Sequence, residues 1–247
     1  MITEKLYYQN MYLANCEAVV TAVRENGIIT DRTVAFPEGG GQIGDMGVVI
    51  KNGIKIPFFD TLKGIGTPLV IQDFPLIQIN TPVIHKMNPQ DANKFFAGDK
   101  VVIEIDILHR IKTTIHHSAI HLALMAAKKY RPDIVEYIKG CSITTDSARL
   151  DFASQDRFSD IDMENINTEV AQIIEANMPI ETFKHNGIED AWDWKCGDFI
   201  ISCGGMHVDK TSKIGKVIVR RKTKGKGIER MIVNVCDELL CENHYIS

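Results

Sequence analysis

The run Thr113-Thr114-Ile115-His116-His117-Ser118-Ala119-Ile120-His121-Leu122-Ala123-Leu124-Met125-Ala126-Ala127-Lys128-Lys129-Tyr130 marks a change of period in the chain. Within it Ile115, Ala119, Leu122 and Ala126 recur at helical spacing, whereas the preceding Val101 to Leu108 alternates like a strand. Thr113 or Thr114 can cap the helix, Lys128 and Lys129 sit where the helix dipole favours cations, and Pro132 lies beyond its end. On it His117 and His121 are one turn apart and ~40° around the axis, so both imidazoles project from one face.

A second pattern lies far downstream, in Cys203-Gly204-Gly205-Met206-His207. The two glycines permit a turn that returns Cys203 and His207 to a common point. One thiolate and three imidazoles from His117, His121, Cys203 and His207 are a suitable set for Zn2+. Neither motif alone would carry that reading, because half-buried histidines are often satisfied by backbone or carboxylate. A zincin-type peptidase is disfavoured, since Ser118 stands where the HExxH helix carries its glutamate. His116 points ~100° away from His117, which predicts a solvent-facing or supporting role.

Working outward, the first ~90 residues read as all-β. Glu17 to Val23 is followed by Glu25-Asn26-Gly27; Gly47 to Lys51 is followed by the hairpin signal Asn52-Gly53 and then Ile54 to Phe59. Short strands with tight turns predict a small β-barrel. The polar stretch from His85 to Asn93 contains Pro89 and reads as a linker, which places a domain boundary near residue 90, between 1–90 and 91–247. Beyond the long helix come a strand pair from about Cys141 to Phe152 and a helix from about Asp160 to Asn177, with Ser159 and Asp162 as a capping arrangement. Phe199 to Ser202 delivers Cys203, and strands near Lys216 to Lys222 and Arg230 to Val235 follow.

The 247 residues, 45% hydrophobic and 24% charged, suffice for one large domain or two small ones. No apolar run approaches the ~20 residues of a membrane helix, and the first residues lack the order of a signal peptide, so a cytoplasmic protein is expected. The six cysteines are expected to be reduced thiols. A net charge of -4 argues against coating nucleic acid by bulk positive charge. One late stretch differs: Lys216, Arg220, Arg221, Lys222, Lys224, Lys226 and Arg230 face the single acid Glu229 and could neutralise several phosphates, or form a solvated hairpin.

The remaining motif is Phe36-Pro37-Glu38-Gly39-Gly40-Gly41-Gln42, followed by Gly44-Asp45-Met46-Gly47. Its glycines let backbone N–H groups approach a ligand, while the bland reading is a flexible connection between strands. No Lys-Ser/Thr follows, so it is not a Walker loop.

Taken in order, this glycine run, the His117/His121 helix, Arg149-Leu150-Asp151-Phe152, and Cys203-Gly204-Gly205-Met206-His207-Val208 with Ile214-Gly215 resemble the editing region of alanyl-tRNA synthetases. The chain looks most like AlaX-type alanyl-tRNA editing proteins. The resemblance implies a small N-terminal β-barrel followed by an α+β editing domain shared with threonyl-tRNA synthetases. It also implies hydrolysis, without ATP, of the ester joining serine or glycine to alanine-specific tRNA. By the same resemblance His117, His121, Cys203 and His207 bind zinc, which either activates water or organises the pocket. Gly40, Gly41 and Gln42 contact the tRNA end or brace the pocket, and Arg220, Arg221, Lys222, Lys224 and Lys226 track phosphates. Where the synthetase-linked domains commonly carry threonine before the second histidine and a polar residue before Lys139-Gly140, this chain has Ile120 and Ile138. Ser142 or Thr144 would then supply any hydroxyl contact. The alternative from a different class is a zinc-containing module that binds tRNA or a synthetase without turnover.

Overall fold

The computed structural model describes residues 2–154, 157–225 and 227–236. The fold is α+β and dominated by antiparallel sheet. In its first part the strands Ile54–Phe58, Gly47–Lys51, Lys100–Ile105, Asn15–Arg24, Gly27–Thr30, Val83–Lys86 and Asp60–Lys63 form one seven-stranded sheet in that order. Val20, Ile28, Val49, Phe58, Met87 and Ile103 fill its concave side as one apolar cluster. The ladder is not a closed barrel. Its two edge strands are consecutive stretches of chain on either side of Phe59, so the sheet curls until its ends meet through covalent continuity.

The stretch expected to be a linker is structural. His85 lies within the strand Val83–Lys86, paired on both sides, and Val83, His85 and Met87 alternate into the interior with no exposure. Pro89–Ala92 forms one helical turn with Pro89 at its start. The strand Lys100–Ile105 then returns to the centre of the same sheet. The sheet of the first part therefore extends past residue 90 and ends at Ile105.

The long helix spans Ile107–Tyr130, seven residues earlier in onset than a cap at Thr113 predicts. Asp106 is the cap, accepting a bond from the His109 amide at 3.0 Å. Sixteen of the 24 residues are buried, so the helix is enclosed on nearly all sides instead of presenting one apolar stripe. Two of its polar interior positions bond within the helix: Thr113 Oγ1 donates to the His109 carbonyl at 3.0 Å and Ser118 Oγ to the Thr114 carbonyl at 2.9 Å.

The helix joins two regions. Its C-terminal half packs on the four-stranded sheet Ile138–Ile143, Ala148–Ala153, Ile228–Val235 and Val217–Gly225, together with the second helix, Asp160–Glu175. Ile115, Leu122, Phe152, Ile166, Val170 and Val233 share that core. Ser159 and Asp162 form the expected capping box. Ile180–Lys184, Trp192–Cys196 and Phe199–Ser202 form a further three-stranded sheet, of which the sequence reading anticipated the last strand alone. At the other end of the long helix, Arg110 is wholly buried against Asp45. Its guanidinium also donates to the carbonyls of Met11 and Val34 at 3.0 and 2.8 Å, while Asp45 accepts from the Phe36 amide at 2.7 Å. No helix among the described residues is long and apolar enough to cross a membrane, and Cys16, Cys141, Cys196, Cys203 and Cys236 are free thiols.

Truncating Arg110 should leave the Asp45 carboxylate buried and uncompensated. Arg110→Met is expected to lower unfolding free energy by about 3 to 5 kcal/mol in urea titrations, with the double variant Arg110→Met/Asp45→Leu recovering much of the loss. Burial also pulls the His85 imidazole down to about 4 from an ordinary 6.5. Between those values the unfolded chain binds a proton that the native chain does not, so stability falls as pH drops from ~6.5 toward ~4, by about 3 kcal/mol in full. Denaturant unfolding across that window should show the slope, and His85→Gln should flatten it.

A candidate metal centre beneath the glycine loop

His117 and His121 leave the long helix on the side facing the turn after Phe199–Ser202, where Cys203 and His207 lie. The ligand atoms of all four lie within 4.8 Å of one another. Cys203 Sγ is 3.4 Å from His117 Nε2 and 3.3 Å from His207 Nε2. Such separations fit a tetrahedral ion with bonds of ~2.0 to 2.3 Å to nitrogen and sulfur. His121 Nδ1 is buried without a hydrogen-bond partner, which also fits a cation held by this set. The cluster can hold a metal ion.

Burial sets the electrostatics. It pushes the Cys203 thiol up to about 12 and pulls the His121 imidazole down to about 3; His117 and His207 are lowered by burial and by the neighbouring imidazoles. The protein alone thus favours four neutral donors, three with free lone pairs.

The glycine loop holds this cluster in orientation. Gly39 and Gln42 exchange backbone hydrogen bonds at 3.0 and 3.1 Å, and the loop docks on the edge strand Ile138–Ile143 through Gly41 O to the Ile143 amide at 2.7 Å. Gly41 has a φ of +85°, and a Cβ there would stand 2.3 Å from Cys141 Sγ. Gln42 is therefore fully buried beneath the loop. Its Oε1 accepts from His117 Nδ1 at 2.7 Å and from the Met206 amide at 3.0 Å. The Met206 amide can only donate, so the oxygen is the atom that faces it, and His117 must carry its proton on Nδ1. Nε2 is left with its lone pair toward Cys203. One carboxamide thus links the helix motif to the Cys-Gly-Gly-Met-His turn. Gly205 is required by the same closeness: a Cβ on it would stand 2.0 Å from His117 Cε1.

The cluster opens onto a cavity of about 1300 Å3 that His117, His121 and Cys203 help to line. Ile120, Leu124, Ile138, Ile143 and Leu150 form a hydrocarbon wall beside it, and Gly40 lies on its rim. Gly41, Gln42, Ser142 and Thr144 do not line it. Thr144 Oγ1 is turned into its own loop, accepting from the Ser147 amide and donating to the Ser147 carbonyl. His116 is buried, with Nδ1 donating to the Lys112 carbonyl at 2.8 Å and Nε2 accepting from the Val235 amide at 3.4 Å, which ties the helix to a strand.

The basic stretch lies elsewhere. Val217–Gly225 is the edge of the four-stranded sheet opposite Ile138–Ile143, about 14 Å away across three strand spacings. Arg220, Lys222 and Lys224 alternate onto one face and are exposed, whereas Arg221 is bonded to Asp160 at 2.9 Å and Arg230 to Asp151 at 2.6 Å. Lys226 lies outside the described residues. The sequence reading missed Lys63, Arg24, Asp190 and Trp192, which line the cavity from other elements.

A curled sheet carrying a glycine loop, clamped to a helix whose two histidines meet a Cys-x-x-x-His turn, defines an α+β domain built around a cluster that could hold a metal ion. No family model matches the chain. It is 30% identical over 253 residues to the alanine--tRNA ligase of Metallosphaera sedula, 29% over 240 residues to that of Saccharolobus islandicus strain M.14.25, and 31% over 229 residues to that of Leptospira biflexa. These matches cover 93, 87 and 85% of this chain but 26, 24 and 23% of the ligases, so the chain spans about a quarter of the length of the curated relatives it matches. Over most of its length the chain is thus similar to one segment of alanine--tRNA ligases, which supports the resemblance to AlaX-like editing domains.

Removing the carboxamide or filling the Gly205 contact should loosen the cluster without replacing a ligand. Gln42→Ala is expected to weaken zinc affinity 10- to 100-fold, and Gly205→Ala to weaken it further, both read by competition with a chromophoric chelator.

Proposed function

We propose that this protein is a zinc-dependent aminoacyl-tRNA hydrolase that removes serine or glycine from alanine-specific tRNA after the ligase has released it. The observation that carries the reading is the convergence of the glycine loop, the helix histidines and the Cys203/His207 turn on one corner of a cavity large enough for an aminoacylated nucleotide. The relation to alanine--tRNA ligases supports the choice of tRNA. Serine and glycine differ from alanine by one small group, a difference worth only ~1 to 3 kcal/mol in a binding pocket, which a second hydrolytic site can amplify.

His117, His121, Cys203 and His207 would hold the zinc, whose charge would polarise an ester carbonyl and stabilise negative charge developing on its oxygen. Gln42 keeps the His117 proton on Nδ1 and the Nε2 lone pair directed at the cluster. Ile120, Ile138, Ile143 and Leu150 exclude water from the side of the acyl group, so the attacking water enters from the open end of the cavity. Among the described residues lining that cavity the carboxylate is Asp190, engaged by Lys5 and by the Asn80 amide at 3.1 Å. A protein general base is thus absent from the proposed mechanism, in keeping with an ester that is already activated. In this reading residues 1–90 carry the loop and 91–247 the metal cluster. Arg220, Lys222 and Lys224 steer the tRNA body from outside the cavity, and the setting is the cytoplasm.

One feature favours a binding module without turnover: the wall at Ile120 and Ile138 offers no hydroxyl for an acyl group to meet. Deacylation separates the readings. With tRNA charged with serine, glycine or alanine, the wild type should hydrolyse the serine or glycine ester, and Cys203→Ala should lose at least 100-fold in rate. Binding without turnover on any charged tRNA would replace the hydrolase with the binding module.

A further inference from the structure

The cavity has a second chemical end. Lys63, at the end of the edge strand Asp60–Lys63, lines it, and its ammonium lies over the glycine loop: a Cβ built on Gly39 would stand 3.0 Å from Lys63 Nζ and 3.2 Å from Cε. Arg24, at the end of the strand Asn15–Arg24, lines the same cavity across the sheet from it, with Ile29 and Ile84 between. Neither cation has a hydrogen bond or ion pair among the described residues. The neighbouring Asp190 is committed to Lys5 and the Asn80 amide, and Glu38, next to Gly39 in the chain, does not line the cavity. Lys63 is exposed into the cavity, and partial desolvation together with the nearby Lys5 lowers its amine, so an anion beside it is favoured.

We propose that Lys63 binds the phosphate of the nucleotide that carries the ester, and that Arg24 takes a phosphate further along the same single strand. The inference rests on the hydrolase reading and deepens it. Gly39 and Gln42 are three residues apart and hydrogen-bonded to each other, so at most ~10 Å of loop separates the backbone under Lys63 from the residue that holds His117. The loop thus sets the distance between a phosphate contact and the cluster, as a ribose sets the distance between the phosphate and the ester oxygens of one nucleotide. Arg24 and Lys63 stand on strands three spacings apart, about 14 Å at the backbone, so each can take a phosphate of its own. Phosphate contacts of this type position a substrate in register without reading its bases.

The test uses two probes carrying the same acyl group: a 3′-aminoacyl adenosine without phosphate, and a short RNA ending in the same aminoacylated adenosine. For Lys63→Gln, KM for the RNA ester should rise about tenfold with kcat within twofold, while turnover of the nucleoside ester stays as in the wild type. The slope of log KM against log salt should fall by ~0.7, the value for one phosphate contact on a single strand. Arg24→Gln should act in the same direction, and Lys63→Arg should restore KM. Equal effects of Lys63→Gln on both probes, or an unchanged salt slope, would overturn the phosphate contact while leaving the hydrolase reading intact. If the wild type hydrolyses neither probe, the hydrolase reading fails. The phosphate contact is then judged by binding of uncharged tRNA, where an unchanged salt slope in Lys63→Gln overturns it.

Discussion

The buried pair between Arg110 and Asp45 holds the two halves of the molecule in register. Both side chains are fully enclosed, and the guanidinium is shared among one carboxylate and two backbone carbonyls. Asp45 belongs to the segment that follows the glycine run, and Arg110 lies seven residues, about two turns, before His117 on the helix. The pair therefore fixes the glycine loop relative to the histidines before any contact at the cluster is counted. A charge pair taken out of water costs more than hydrocarbon of the same size unless its geometry is complete. Here each partner is fully bonded, and the return is positional: Gln42 reaches His117 and Met206 because Asp45 cannot move.

Around the cluster the protein supplies mostly neutral and apolar surroundings. Trp194 lies over His121 at 4.9 Å between ring centroids, and the isoleucines line the opposite wall. Charge is kept at the two margins, in the cavity at Lys63 and Arg24 and outside at Arg220, Lys222 and Lys224. Such a separation would let a cation at the cluster act in a medium of low polarizability while a polyanion is met at the margins.

Much of this was legible in sequence because it is local. The capping box at Ser159, the hairpin at Asn52-Gly53 and the spacing of His117 and His121 each depend on a few adjacent residues. The relation of Cys203 and His207 to that helix was legible only through the joint chemistry of the four donors. Long-range pairing stayed hidden. The stretch from His85 to Asn93 looked like a linker because histidine, asparagine and proline are common in turns, yet His85 is accepted in a strand interior where the Thr33 hydroxyl meets its ring at 2.8 Å. The helix start was placed late because Ile107 to Lys112 mixes charge and apolar residues, and the reason for Arg110 lies 65 positions away in sequence. Closure of a barrel was expected from short strands and tight turns; the edge strands meet instead through one bend at Phe59. The burial of Gln42 stayed hidden because nothing in Gly-Gly-Gln marks a side chain that folds underneath its own turn.

The distance in sequence between the two motifs has a consequence for how the cluster comes into being. His121 precedes Cys203 by 82 positions, and the sheet that delivers Cys203 lies between them. At a synthesis rate of ~5 to 20 residues per second, the first two donors exist for roughly 4 to 16 s before the other two leave the ribosome. During that interval a helix with two exposed imidazoles has only partial affinity for any divalent ion. Were the cluster to hold a metal, selection among competing ions would be deferred until the Cys203 turn closes, so the order of translation would act as a filter against premature capture of the wrong ion.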